Sequence, residues 1–315
     1  MQWETRFRVL LAAQAALAAL CWLPAVHADT APAQAPPIVF QSSSLPALGA
    51  DPVLSEAQKQ FRTRLLIGGA TVSVLGYGAS HWWRDGMNSS FRTANEGWFG
   101  QNTYTGGADK LGHMYSTYVG TRLLTDAFEW AGNDRNSASW LAAATAWGVM
   151  LAVEVGDGYS RHFRFSKEDL IMNTLGTGLG LLMEKKPELD ELVDFRLMYW
   201  PSNDALRRNQ VDPVGDHSGQ TYLLALKASG VPALRKIEPL RYFELALGYG
   251  TRGYEPNTGE ERGRHVYYGI SLNVAEILGA TAFRDSKGSR AQKISNGVLE
   301  VFQIPGTAAL ADHRL

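Results

Sequence analysis

"SKEDLIMNTLGTGLGLLMEKK", residues 166–186, decides how the rest of this sequence is read. Ser166 stands where a helix N-cap is expected, with Asp169 three residues on, the spacing of a capping box. Pro187 stops the helix. Gly176 and Gly180 lie four apart among apolar residues, which lets a neighbouring helix approach closely. The stretch predicts a tightly packed bundle helix with its polar groups gathered in the first turn.

Three further apolar segments precede it. "LLIGGATVSVLGYGASHWW" (65–83) is uncharged between Arg64 and Arg84, and its Gly68, Gly69, Gly76 and Gly78 also suit close helix approach. The second, 109–131, opens from "TGGAD", which puts glycine and an acid at the positive end of a helix. The third, "SASWLAAATAWGVMLAV" (137–153), is uncharged until Glu154. The first and third are at the lower edge of membrane-spanning length, whereas the second and fourth carry too many polar groups to span alone. A membrane-embedded bundle and a water-soluble one both fit. The fold class expected is mainly α: a bundle of about four apolar, glycine-containing helices over 61–186, with a small C-terminal β-hairpin or sheet.

After Pro187 the texture changes. Residues 187–240 are polar and turn-rich and read as a connector with a short helix or two. In the strand-containing region 241–315, Tyr268, Ile270, Leu272 and Val274 alternate with Gly269, Ser271 and Asn273. Period two means a strand with one apolar face. "RYFELALGYGTRGYE" (241–255) supplies its partner, "EPNTGEERG" (255–263) the turn between them, and "GVLEVFQI" (297–304) a third strand. Apolar-out, small-polar-in alternation resembles an outer-membrane strand, but so few strands close no barrel. A small sheet packed on the helices is expected.

The N-terminus reads as an export signal over 1–28. Arg6 and Arg8 precede the apolar run "VLLAAQAALAALCWL" (9–23), and "AVHA" (25–28) ends in small residues. Leu20 stands before Cys21 where a lipoprotein signal carries a small residue, so cleavage is expected rather than lipidation. Cys21 is the only cysteine, and the mature chain then has neither a disulfide nor a thiolate metal site. A Pro/Ala-rich tether follows over 29–60. Together these features place the protein in the periplasm, associated with the inner or outer membrane.

The chain's 315 residues suffice for one large domain or two modest ones. Lys+Arg 30 against Asp+Glu 31 gives no electrostatic case for nucleic acid. Gly-x-Ser-x-Gly, Walker and HExxH motifs are all missing from the sequence.

The chemistry-bearing residues cluster at helix ends. Asp109 and His113 share a face of the second helix, Glu154 and Asp157 end the third, and Asp169 and Asn173 begin the fourth. If the helices alternate up and down, these three pairs converge on one end of the bundle. Asp109, His113, Asp157 and Asp169 then suit a divalent metal such as zinc, manganese or magnesium. Alternatively, Glu154 in an apolar setting acts as general base or acid with His113 as its partner. Lys110, Arg161 and Asn173 are candidates to neutralise carboxylates or to hold an anionic ligand such as phosphate. Each has a structural reading too: Asp109 as a helix-end charge, His113 as a hydrogen-bonded rim histidine, Asp169 as a capping acid. A buried Glu154 needs a partner, and a salt bridge to Lys110 or Arg161 suffices.

"ADKLGHMYSTYV" and "EVGDGYSRHFRFSKEDLIMNTLGTGLG" together resemble the YfiM-like family of predicted periplasmic lipoproteins, an uncharacterised group. The resemblance rests on Asp109, Lys110, His113, Glu154, Asp157, Ser166, Asp169, Asn173 and Gly176, and covers roughly 106–182. A more distant similarity is to VanZ-like membrane proteins, through the Asp-Lys-x-x-His opening. The resemblance implies a bacterial envelope location and supplies no activity. The chain departs from the short lipoproteins in its signal, its extra apolar segment at 65–83 and its strand-bearing tail.

Two functions are open. One is a membrane-associated envelope factor whose polar cluster binds a lipid headgroup, a glycan or a partner, or orders the bundle. The other is a metal-dependent or acid–base hydrolase of envelope lipid or cell-wall material, with Glu154 as base.

Overall fold

The computed structural model describes residues 54–209, 211–254 and 260–315. The export signal, most of the tether, and most of the turn at 255–263 lie outside the described residues.

Four long helices come first: α1 (Glu56–His81), α2 (Ala108–Trp130), α3 (Arg135–Tyr159) and α4 (Lys167–Lys185). The chain turns helical five residues earlier than the expected core boundary. Ser55 and Gln58 form a full capping box there, inside the segment read as tether. Helices α2, α3 and α4 pack on one another along their lengths. α1 is peripheral: Leu66 and Ile67 lean on Phe128, Ala138 and Ala142, and most of the helix is open.

Glycine explains the difference. A Cβ on Gly176 would sit 1.9 Å from the Met114 carbonyl oxygen, and one on Gly180 would sit 2.9 Å from Thr121 Cβ. Only glycine lets α4 reach the α2 backbone this closely. Gly68, Gly69 and Gly76 face nothing within 4 Å, so the expected close approach of α1 does not occur at them. Among the described residues α3 alone is long and apolar enough to cross a membrane, and half of its most apolar stretch is buried in the protein.

The C-terminal half is a five-stranded antiparallel sheet in the order β3 (Val193–Tyr199), β4 (Gln220–Lys227), β5 (Phe243–Arg252), β6 (Gly263–Leu272), β7 (Ala308–Arg314). Two of these strands fall in the stretch expected to be a connector, alongside the short helices α5 (Pro187–Leu192), α6 (Asn203–Arg208) and α7 (Pro232–Arg235). Asp194 and Arg196 hide the strand periodicity of β3, because charges at alternate positions read as surface. Both are buried and paired with each other, and Arg196 also binds Glu244, donating 2.8 Å to its Oε1.

The expected third strand at 297–304 is instead the end of α9 (Arg290–Val301), which follows the short α8 (Val274–Ala280). Ser289 caps α9 by accepting from the Gln292 amide at 3.3 Å. Upstream Ile294 sets a helical spacing with Val298 and Val301 that an eight-residue window misses.

Bundle and sheet share one core. Tyr115 and Tyr118 of α2 pack on Phe195, Leu197 and Tyr222, and Tyr115 donates a 2.7 Å hydrogen bond to the Val301 carbonyl. The opposite face of the sheet is the small and polar one, carrying Ala225, Ala246, Glu244 and Ser271, and it is buried.

Candidate functional site

The site begins at a turn. Gly106 and Gly107 both have positive φ, 66° and 96°, a conformation that suits glycine. A Cβ there would strike Tyr254 at 2.6 Å and Phe99 at 2.3 Å. Tyr249 of β5 also donates to the Gly106 carbonyl. The sheet thus clamps the turn that launches α2, and Thr105 Oγ1 accepts from the Asp109 amide at 3.0 Å. Asp109, Lys110 and His113 follow within the first two turns.

The end of α3 and the start of α4 meet them there. A two-residue parallel ladder between β1 (Thr93–Ala94) and β2 (Phe165–Ser166) ties the loop before α2 to the start of α4. Ser166 caps α4, accepting from the Asp169 amide at 3.3 Å. Only half of the expected capping box forms, because the Ser166 amide donates to Glu154 Oε2 at 3.3 Å while Asp169 turns to Lys110.

Lys110 is 3 % exposed and holds three carboxylates: Asp169 Oδ1 at 2.7 Å, Asp109 Oδ2 at 3.2 Å, and Glu96. Burial works against the ammonium charge, but Asp109, Asp169 and Glu96 outweigh it and hold its pKa above the usual lysine value. Glu96 was not among the sequence candidates. Its only signal was an acid in an aromatic, glycine-rich stretch, with no helical spacing to a partner.

His113 is the second hub. Its Nε2 lies 3.7 Å from Asp109 Oδ1 and 4.0 Å from Asp169 Oδ1, and its Nδ1 lies 3.4 Å from Glu154 Oε1. Asn173 Oδ1 is 3.3 Å from the same Nδ1. Burial disfavours the imidazolium, yet Asp109, Asp169 and Glu154 lift the His113 pKa to about 9.

The carboxylates divide by their surroundings. Burial pushes Glu154 up to about 8, Asp169 up to about 7 with the Asp109 charge adding to it, and Asp157 up to about 6. Asp109 goes the other way: burial raises it, but His113 and Lys110 prevail and hold it below the usual aspartate value. Asp157 stands apart from the metal candidates it was grouped with. It accepts a 2.7 Å hydrogen bond from Trp83 Nε1.

Arg161 is not brought in. Its guanidinium packs against Gly86 instead of the carboxylates. Lys110 is committed to three acids, and among the described residues Arg161 makes no ion pair with them.

Two further properties bear on what the cluster can do. Glu154 Oε1, Asp169 Oδ1 and Asn173 Nδ2 are buried and have no hydrogen-bond partner, although Asp169 Oδ1 is ion-paired with Lys110 and Glu154 Oε1 with His113. Buried polar atoms are rarely left so. Asp109 and His113, in contrast, keep 18 % and 17 % of their side-chain surface open, so the cluster is reachable from one side. Asp109, His113 and Asp169 can each offer a ligand atom, all within 4.8 Å of one another.

Residues 95–185 match the model of a family described as predicted periplasmic lipoprotein (DUF2279). The match starts just before Glu96 and ends with α4, so it takes in the whole cluster except Trp83. It supports an uncharacterised periplasmic lipoprotein family, and does not carry the YfiM-like or VanZ-like labels. On this match the protein is exported, periplasmic and membrane-associated. Neither the curated proteins nor the solved structures yielded a match to this chain.

Proposed function

We propose that this is a membrane-associated periplasmic envelope factor whose helix-end cluster binds a small polar ligand carrying a positive charge. Glu154 Oε1, buried without a hydrogen bond and held only by the 3.4 Å ionic contact to His113 Nδ1, carries the reading. Five carboxyls (Glu96, Asp109, Glu154, Asp157 and Asp169) face two cations, Lys110 and His113. The raised pKa values of Glu154 and Asp169 favour protons on these two groups, which reduces the excess of carboxylate charge over the two cations without removing it. A cation entering beside Asp109 would replace those protons.

Native mass spectrometry of the purified protein tests this. The expected result is a bound mass on the wild-type protein that is lost in Glu154→Gln while the fold is kept. A bare mass in the wild type, with no thermal shift on adding divalent ions or polyamines, would leave the cluster with an ordering role alone.

The second reading is metal-dependent or acid–base hydrolysis. The Asp109, His113 and Asp169 triplet favours it, with Glu154 as the base. The metal would have to take Asp169 Oδ1 from Lys110, which already sits there as a built-in cation. Both readings allow a bound cation that displaces protons, so turnover of an envelope lipid or cell-wall substrate, lost in Glu154→Gln, separates this reading from the first.

A further inference from the structure

The polar face of the sheet borders a cleft of about 620 Å³, within the range of small-molecule sites. Asp194 and Arg196 of β3 and Lys227 of β4 lie on its sheet side. Ser229 and Asn273, both buried, close another side, where Asn273 Nδ2 donates to Ser229 Oγ at 3.1 Å. Gln292, Asn296 and Glu300 recur every four residues along α9, so they share one helix face, and all three line the cleft. Among the lining residues Leu299 and Tyr242 are the only large aliphatic or aromatic side chains, so the walls suit a polar ligand. The cleft is separate from the helix-end cluster: Arg122, which pairs with two of its acids, stands thirteen residues along α2 from Asp109.

The acids of the cleft are all answered from within the protein. Arg235 holds Glu191 and Arg241 holds Glu276, each at 2.6 Å, and Glu238 lies 3.8 Å from Arg241. Arg196 and Lys227 hold Asp194, and Arg122 holds Asp190 and, at 3.3 Å, Glu300. Two cations are not answered. Arg284 and Lys287, in the turn between α8 and α9, line the cleft, are exposed, and have no ion-pair partner among the described residues. The charge left over for a ligand is therefore positive, and phosphate or carboxylate is its match. Asn296 supplies the other signal: its Oδ1 is buried without a hydrogen-bond partner, and such atoms are rarely left so. A hydroxyl, donor and acceptor at once, can meet either end of that amide.

We propose that this cleft binds a hydroxyl-rich anion, a sugar carrying a phosphate or a carboxylate, with Arg284 and Lys287 taking the charged group and Asn296 a hydroxyl. The volume fits a sugar better than a bare phosphate ion, and the paired acids and bases of the walls offer further acceptors and donors to its hydroxyls. The site is independent of what the helix-end cluster binds.

Isothermal titration calorimetry of the full chain with glucose 6-phosphate and with glucuronate tests this. At least one should bind, and which of the two binds more tightly tells phosphate from carboxylate. Glucose and inorganic phosphate should each bind about tenfold more weakly or worse, since each lacks one half of the recognition. Arg284→Gln combined with Lys287→Gln, at two exposed positions, should weaken the sugar anion by about tenfold or more, with circular dichroism as the check on folding. Asn296→Leu should remove the advantage of the sugar anion over inorganic phosphate. No binding of either sugar anion at millimolar concentration would overturn the proposal, and so would unchanged binding in the double variant. Inorganic phosphate binding as tightly as glucose 6-phosphate, or an Asn296→Leu protein that keeps the sugar's advantage, would also overturn it, because the anion would then be held at the surface without the cleft.

Discussion

Lys110 Nζ lies 2.7 Å from Asp169 Oδ1, joining the first turn of α2 to the first turn of α4. It is the buried cation on which the helix-end carboxylates are organised, and its removal has a definite consequence. Lys110→Met leaves Glu96, Asp109 and Asp169 facing one another without compensation. Breaking a buried pair from one side costs about 3–5 kcal/mol. Urea unfolding at pH 7 should show a loss of that order, and a loss below about 1 kcal/mol would mean that the lysine holds nothing together.

The cluster should make the protein more stable in mild acid than in mild base. His113 has a folded pKa of about 9, above its ordinary 6.5, so its contribution is complete below pH 6.5 and disappears as pH rises through 9. Glu154, Asp169 and Asp157 have folded values of about 8, 7 and 6. The unfolded chain gives up those protons near pH 4, so between pH 4 and 8 it binds fewer protons than the folded chain, and stability falls as pH rises. Asp109 acts in the opposite sense, but only in stronger acid, since its folded value is depressed. Melting temperature in chelator should therefore decline from pH 5 to pH 9. Glu154→Gln should flatten that decline, and an unchanged slope would show that Glu154 is not one of the groups responsible.

Gly176→Ala should be destabilising, while Gly68→Ala should not. The first places a methyl 1.9 Å from the Met114 carbonyl, and forcing atoms into a packed interface costs typically about 1–3 kcal/mol or more. The second meets nothing within 4 Å on an exposed helix, where replacing glycine gains about 0.4–1 kcal/mol. Thermal melts of the two variants should move in opposite directions. If both fall together, α1 packs more tightly than the structure shows.

Trp83→Phe removes the 2.7 Å donor to Asp157 Oδ1 while keeping an aromatic ring. A hydrogen bond to a charged group contributes about 1.5–3 kcal/mol, so a loss in that range is expected near neutral pH. Because the indole holds the Asp157 pKa down against its burial, the variant should also titrate Asp157 higher. Carbon-13 NMR of the aspartate carboxyls would read this directly, and no upward movement would rule out the indole as its partner.

Helices were the legible part of the sequence. The Ser166 cap, the Pro187 stop and the glycines of α4 are local signals, and local physics sufficed to interpret them. The strands of the middle region were not legible in the same way. Asp194 and Arg196 look like surface residues until Glu244, about fifty positions later, is known to sit opposite them. The strand expected at 297–304 failed for the reverse reason: the cap that makes it a helix, Ser289, lies outside the apolar run. In the candidate site, Asp109, His113, Glu154, Asp169 and Asn173 were named by helix-end spacing alone. Glu96 and Trp83 were missed as participants because they reach the cluster from a loop, which has no period to betray them.

The sequence by itself determined where the four long helices run and that α2, α3 and α4 each carry a polar pair at one end, because caps and apolar spacing act within a few residues. Only the tertiary structure decided that Lys110 neutralises three acids, that Arg161 stays out, and that the sheet turns its polar face inward and leaves apolar rows in solvent. Each of these depends on which distant groups share a buried volume. Arg196 sits in the interior because Asp194 and Glu244 meet it there, and with that face occupied, Leu245 and Ile270 are left facing out.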